Sequence, residues 1–305
     1  MALDAMQEYR TVLVKSREGI DASPAEIQEY MNLIQNGLSR GQALHHMMTA
    51  HPDVFQKCEK TLYNYLHQNV FDLPRGSMPR MNIRKSRKKE KVRHKIDPQY
   101  RTGRKYFDYL DFMEKHPELV PVQMDSVIGD VGGKVLLTIH FPCGLMLARL
   151  RETNNSQSVI DFFDWFEREF GLETFRNVFP VILTDNGSEF SNPSAIEFSP
   201  VLKERRTRVF YCEPNAAWQK GNIENNHINL RRILPKHTSF NLLTQDDINL
   251  VLSHLNSYIR KLYENVPAIT RFNTLFGKDI LNKLNIKLIA PDEVILDKQL
   301  LKGRI

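Results

Sequence analysis

Cysteine is scarce in this chain: Cys58, Cys143 and Cys212 are the only three in 305 residues. They lie far apart and form no CxxC pair, which argues against a zinc site or a disulfide framework and leaves packed thiols in a reducing compartment. No apolar run approaches the ~20 residues that span a bilayer. The start, Met1-Ala-Leu-Asp-Ala-Met-Gln-Glu, has neither a basic opening nor an apolar core, so no secretory leader is expected. Internal repeats are absent as well. A hydrophobic content of 41% is still that of a globular protein, and the length allows two domains or one domain with an appendage. These absences together suit a cytoplasmic location.

The net charge is +6, but it is unevenly spread. Residues 80–105 hold twelve Lys/Arg and two Asp/Glu, so this stretch exceeds the whole basic surplus and the rest of the chain is slightly acidic. Like charges at this density resist compact folding and make a linker. They also make an arm that follows nucleic-acid phosphates, with Arg84, Lys85, Arg87, Lys88 and Lys89 as its densest part. The spacing of signals along the chain predicts an N-terminal segment 1–21, a helical domain 22–72, a basic linker 73–117, a core domain 118–290 and a tail 291–305.

In the helical domain, Ser23-Pro-Ala-Glu26 reads as a capping box with Pro at the first helical position. It leads a helix that Asn36-Gly37 is expected to end. Ser39-Arg-Gly-Gln42 reads as a second capping box, and after His51-Pro52 a third helix runs from about Glu59 to Gln68. Three short helices of this kind fit a helix-turn-helix, with Lys57, Lys60, Thr61, Asn64, Tyr65 and Gln68 facing outward toward a major groove. A plain helical bundle is the alternative, and the acidic balance of the unit favours it.

The core domain reads as strands at 120–127, 134–141 and 145–150 separated by Gly-containing turns. A helix capped by Ser156 follows, with Val159, Ile160, Phe163, Phe166 and Phe170 at helical spacing as core residues. Short strands at 181–184 and 208–211, a helix after Gly221 and an amphipathic helix from Asp246 to Tyr263 complete the pattern. Three strands in consecutive hairpins, then alternating helices and strands, predict an α/β mixed sheet with flanking helices.

Three carboxylates stand out in this frame. Asp125 falls inside the first strand, in Pro121-Val-Gln-Met-Asp-Ser-Val-Ile-Gly129. Asp185 follows the fourth strand, in Val181-Ile-Leu-Thr-Asp-Asn-Gly-Ser-Glu-Phe190, and Glu224 opens a helix in Gly221-Asn-Ile-Glu-Asn-Asn-His227. A lone carboxylate in an apolar run is costly. Two Asp and a helical Glu converging on one cleft would be balanced by a cation, and hard carboxylate oxygens suit Mg²⁺. Two such ions would activate water or a 3′-hydroxyl and stabilise a leaving oxygen in phosphoryl transfer on nucleic acid. Taken singly the signals are weaker: Asp130 rivals Asp125, Asp-Asn-Gly is also a hairpin turn, and Glu224 is also an ordinary surface helix charge.

The segments Asp125-Ser-Val-Ile-Gly129, Leu183-Thr-Asp-Asn-Gly-Ser-Glu-Phe190 and Gln219-Lys-Gly-Asn-Ile-Glu-Asn-Asn-His227, with Arg231-Arg232-Ile-Leu-Pro-Lys236, resemble DDE transposases of bacterial insertion sequences. More narrowly they are similar to the thirty-numbered insertion-sequence family. That resemblance implies an integrase core of ribonuclease-H-like fold, an all-α helix-turn-helix domain before it, and Asp125, Asp185 and Glu224 as catalytic metal ligands for two Mg²⁺ ions, Mn²⁺ substituting. It implies strand cleavage and strand transfer on terminal inverted repeats and target DNA, within a homo-dimer or larger synaptic complex in the bacterial cytoplasm at the nucleoid. By position it makes Lys220 and Arg231 DNA-contacting residues, and Asn186 and His227 supports of the metal site. Family members usually carry a further N-terminal helix-turn-helix, so such a part is expected to be missing or diverged here.

Other readings stay open. A DNA-binding repressor derived from a transposase would share the motifs, although all three carboxylates are present. A ribonuclease-H-like nuclease that cuts without joining would need neither a helix-turn-helix nor a basic arm. Trp218 either stacks on a base or packs beside the helix of Glu224. Arg205, Arg206 and Arg208 either track DNA or are simply solvated.

Overall fold

The computed structural model describes residues 2–15, 19–73, 99–130, 132–214 and 216–304, and excludes the side chains of residues 2, 3, 13–15, 217, 222, 224 and 225. The basic residues Arg84, Lys85, Arg87, Lys88 and Lys89 lie outside the described residues. The chain divides into two compact units, residues 1–39 with 43–83, and residues 40–42 with 84–305.

Among the described residues the first unit is helical: α1 (Ala2–Lys15), α2 (Pro24–Ser39), α3 (Leu44–Ala50) and α4 (Glu59–His67). The box at the start of α2 forms, with the Ser23 amide donating to Glu26 Oε2 (2.7 Å) and the Glu26 amide to Ser23 Oγ (3.3 Å). Tyr30, Ile34, Leu44, Met47, Phe55, Leu62, Tyr65 and Phe71 make the core of this unit. Three expectations need correction. Helix α2 does not stop at Asn36-Gly37, because Gly37 is buried inside it. Ser39 makes no capping box; its hydroxyl donates back to the Asn36 carbonyl, and the chain turns at Gly41 with φ +73°. Tyr65 does not face outward, since it sits one turn from Leu62 and both are buried.

The second unit is built on a five-stranded sheet in the order β3-β2-β1-β4-β5. The strands are β1 (Pro121–Ile128), β2 (Val135–His140), β3 (Met146–Arg151), β4 (Val181–Thr184) and β5 (Arg208–Tyr211). β1, β2 and β3 pair antiparallel, whereas β4 pairs parallel with both β1 and β5. This is the mixed sheet with flanking helices expected from the sequence. The helices of the unit are α5 (Tyr106–Lys115), α6 (Ser156–Phe170), α7 (Leu172–Val178), α8 (Pro193–Glu197), α9 (Gly221–Ile233), α10 (Gln245–Ser257), α11 (Ala268–Phe276) and α12 (Asp279–Lys283).

Alternation along β1 buries Val122 and Met124 and turns Gln123 and Asp125 to the other face. Parallel partners share a face, so Leu183 beside Gln123 marks the face that carries Asp125. Tyr106, Tyr109, Phe112 and Met113 of α5 cover that face by packing on Val181, Leu183, Phe210 and Cys212. Phe163 and Phe166 of α6 join Phe175 and Phe179 in an aromatic cluster, as core residues should. Helix α10 ends at Ser257 rather than near Tyr263, because the Ser257 hydroxyl accepts the Ile289 amide (2.9 Å) and Arg260 is drawn to the Gly144 carbonyl (2.7 Å).

Arg206 is neither solvated nor a DNA contact. It is fully buried, with Asp164 Oδ1 at 2.6 Å, Glu167 Oε2 at 2.7 Å and the Ile196 carbonyl accepting from Nε at 2.9 Å. Its guanidinium joins α6 to α8. Arg205 pairs with buried Glu197 (3.1 Å), and Arg208 lies over the Phe112 ring. Replacing Arg206 by Met strands two acids against apolar surroundings. The variant is expected to lose about 3–5 kcal/mol of stability in urea unfolding, and a loss below about 1 kcal/mol would contradict this packing role.

Candidate active site

Asp125 and Asp185 meet because of strand register. The pairing Pro121↔Val181, Val122↔Ile182 and Gln123↔Leu183 has an offset that also relates Asp125 to Asp185. β4 ends at Thr184, whose hydroxyl donates to the Met124 carbonyl (3.2 Å), so Asp185 leaves the sheet beside Asp125. The Asp-Asn-Gly sequence is not a hairpin turn here. It leads into the 3-10 turn Ser188–Phe190, and a Cβ at Gly187 would meet the Glu189 carboxylate at 2.5 Å. The Gly187 amide donates to Asp185 Oδ1 (3.1 Å) and the Ser126 amide to Asp125 Oδ1 (2.9 Å), which fixes one oxygen of each acid and leaves Oδ2 toward the cleft. Asp130 sits in the turn beyond β1.

Lys220 supplies the balancing charge. Its Nζ is 3.6 Å from Asp125 Oδ2 and 3.8 Å from Asp185 Oδ2, and it donates to the Met124 carbonyl at 3.5 Å. Burial, together with the Asp185 charge, pushes the Asp125 carboxyl above the usual carboxylate range, while Lys220 pulls it back. Burial also raises the neighbouring Cys212 thiol to about 11, so it is not a thiolate at neutral pH.

His227 faces the same cleft from α9. The Thr138 hydroxyl donates to the Asp125 carbonyl (3.1 Å) and lies 3.1 Å from His227 Nε2. That network assigns the proton to Nε2 and leaves Nδ1 as a lone-pair nitrogen 3.9 Å from Asp125 Oδ2. Burial, with Lys220 and Arg231 nearby, lowers His227 to about 4, so the ring is neutral. Behind it, buried His140 accepts from Asn226 Nδ2 (3.1 Å), and Asn226 Oδ1 accepts from Arg260. This layer holds α9 against β2.

The other expected residues fall in different places. Glu224 belongs to the first turn of α9, and its side chain lies outside the described residues. Asn186 Nδ2 donates to the Cys212 carbonyl (2.9 Å), tying the ends of β4 and β5, and its buried Oδ1 has no partner. Arg231 reaches the Ile128 carbonyl (3.0 Å) at the end of β1. In the first unit, Lys60 and Asn64 are exposed, Thr61 is half-buried and next to the Cys58 thiol (3.2 Å), and Lys57 pairs with Asp21 (2.7 Å). Sequence reading missed Arg151, a buried guanidinium that donates to Ser126 Oγ (2.9 Å) and Ser158 Oγ (2.9 Å), and so braces the residue after Asp125. Its only sequence signal was a charge closing an apolar strand.

The chain is 27% identical over 225 residues to the probable transposase of insertion-like sequence element IS1161 from Streptococcus salivarius, covering 72% of this chain and 60% of that relative. Over 54 residues it is 37% identical to the transposase InsI of insertion sequence element IS30A from Escherichia coli K12, covering 18% of this chain and 14% of the relative. The chain thus matches 60% or less of the length of these relatives. It is similar to transposases of bacterial insertion sequences, with partial similarity to those of the IS30 elements. Among solved structures, the catalytic core domain of BIV integrase covers 53% of this chain and 97% of its own, with 16% identity and a TM-score of 0.36. No protein-family model matches the chain. Among the described residues no helix is long and apolar enough to cross a membrane.

The neutral state of His227 has a consequence for stability. Its folded pKa lies below the unfolded value, so its contribution is complete above about pH 6.5 and is lost as pH falls toward 4. Asp125, shifted upward, acts in the opposite sense. Chemical unfolding at pH 7 and pH 4.5 is expected to show a loss on acidification to which buried His140, also held well below its usual range, contributes, and His227→Asn is expected to reduce that loss by about 2 kcal/mol. An equal loss in both proteins would rule out His227 as its source.

Proposed function

We propose that this chain is a DDE-type transposase that cuts and joins DNA at the ends of an insertion sequence, with divalent metal at Asp125, Asp185 and Glu224. The observation that carries the reading is the pair of aspartates side by side on parallel strands with a cation between them. The Lys220 ammonium stands in for a metal ion: it lies within 4 Å of an oxygen from each acid. The donors are hard oxygens, as Mg²⁺ or Mn²⁺ requires. When bound, two such ions would activate the attacking oxygen and offset charge on the leaving one.

The protein's own part is positioning. Backbone amides at Ser126 and Gly187 hold one oxygen of each aspartate. Thr138 fixes His227 so that its lone pair faces the Asp125 side of the cleft. Asn186 keeps the turn after β4 on β5. Lys220 and Arg231 would contact DNA phosphates, Lys220 once it is released from the acids. The helical unit would read the terminal repeats through Lys57, Lys60, Thr61 and Asn64, and the basic segment with Arg84, Lys85, Arg87, Lys88 and Lys89 would follow the backbone. Two DNA ends must be joined, so the working form would be a homo-dimer or larger synaptic complex in the bacterial cytoplasm.

The test is an oligonucleotide assay carrying the inverted repeats that flank the reading frame, with Mg²⁺. Wild type is expected to yield cleaved and joined strands, Asp185→Ala neither, and Asn186→Ala about 10- to 100-fold less of both. Binding without cleavage by wild type would remove the catalytic reading and leave a DNA-binding repressor. Cleavage without joining would make it a nuclease.

A further inference from the structure

Trp218 is 74% exposed, an unusual setting for the largest side chain of a globular protein. Its ring neighbour is Tyr106, with centroids 6.1 Å apart and planes at 77°, so no ring lies parallel on the indole among the described residues. This removes the expectation that Trp218 packs beside α9. The exposure does not come from a loose segment. Trp218 lies in the 3-10 turn Ala217–Lys220, pinned by the Gln219 amide on the Ala216 carbonyl (3.0 Å) and by the Glu213 amide on Gln219 Oε1 (2.8 Å). Its neighbours Gln219 and Lys220 are buried while the indole is turned out.

The same turn carries the cation of the active site. Lys220, two residues on, reaches both Asp125 and Asp185. At three residues per turn the two side chains leave the backbone in different directions, the lysine inward to the acids and the indole outward, with their attachment points about 4 Å apart along the turn. A water-facing aromatic on the turn that delivers Lys220 to the aspartates has the chemistry of a stacking platform. Every nucleobase has a π-face, so such a platform takes an unpaired base without reading its identity.

We propose that Trp218 stacks on an unpaired nucleobase next to the reacting phosphate and holds the frayed end of the duplex at the aspartates. The proposal rests on the DNA-joining function above and deepens it: the favoured substrate is a duplex whose end is already melted. Trp218 is then a positioning residue for the strand rather than a catalytic one.

The chain has two tryptophans, and the other, Trp165, packs in the aromatic cluster of α6. Trp165→Phe therefore leaves Trp218 as the sole indole emitter. Two probes are compared in the full chain without metal: a blunt duplex, and the same duplex ending in a short unpaired 3′ strand. The frayed duplex is expected to quench Trp218 emission. Trp218→Ala is expected to bind it about tenfold more weakly, Trp218→Tyr to recover most of that loss, and binding to the blunt duplex to change less than about twofold. Equal binding of both probes by wild type and Trp218→Ala, with emission unchanged, would overturn this proposal alone. Failure to bind either probe would overturn the DNA reading and this proposal with it. A Trp218-dependent dimer in sedimentation without DNA would make the indole a protein contact and also overturn it.

Discussion

Two like charges on adjacent strands repel unless a proton or a cation offsets them, and the cation at Asp125 and Asp185 ties together the elements on this face of the second unit. Asp125 and Asp185 are neighbours because β1 and β4 run parallel in one fixed register. Each acid has one oxygen satisfied by a backbone amide and the other turned toward Lys220. Desolvation raises the cost of charge at Asp125, and the lysine offsets part of it. The 3-10 turn that delivers Lys220 and the helix α9 that follows must therefore stay seated on this face of the sheet.

The seating joins apolar burial of Ile223, Leu230 and Ile233 to a polar layer. His140, Asn226, Arg260 and the Gly144 carbonyl form a bonded chain beneath α9, and Thr138 couples His227 to the backbone of Asp125. A buried network of this sort specifies one position for the helix, since a slip would strand its polar groups. On the side of β5, α5 covers Val181, Leu183, Phe210 and Cys212 with aromatic side chains. The cleft is thus a gap between two well-anchored helices. Trp218 edges against Tyr106 of one helix just before the other begins.

Much of this was legible from residues alone. The 60-residue spacing of Asp125 and Asp185 is the register offset of β1 and β4, and the alternation of Val122 and Met124 with Gln123 and Asp125 sets the face. The Ser23 and Glu26 box formed because nothing long-range competes with a local cap. What escaped were long-range effects. Helix α5 has Tyr106, Tyr109, Phe112 and Met113 at helical spacing, but that stretch follows a run of charge and was not singled out. Gly37 continues a helix because burial outweighs its weak helix propensity. Tyr65 and Arg206 look like surface residues in a linear reading, and only the fold shows the core and the acids that claim them. The role of Lys220 as counter-charge needed three elements in space.

Lys220 lies between Asp125 and Asp185 at the place proposed for a divalent ion. Direct titration with Mn²⁺, followed by paramagnetic resonance of the free ion, tests that proposal without any DNA. Wild type is expected to bind Mn²⁺, Asp125→Asn and Asp185→Asn each to lose that binding, and Lys220→Met to bind more tightly than wild type because the competing ammonium is gone. Mn²⁺ binding unchanged in both Asn variants would show that the two aspartates hold no metal.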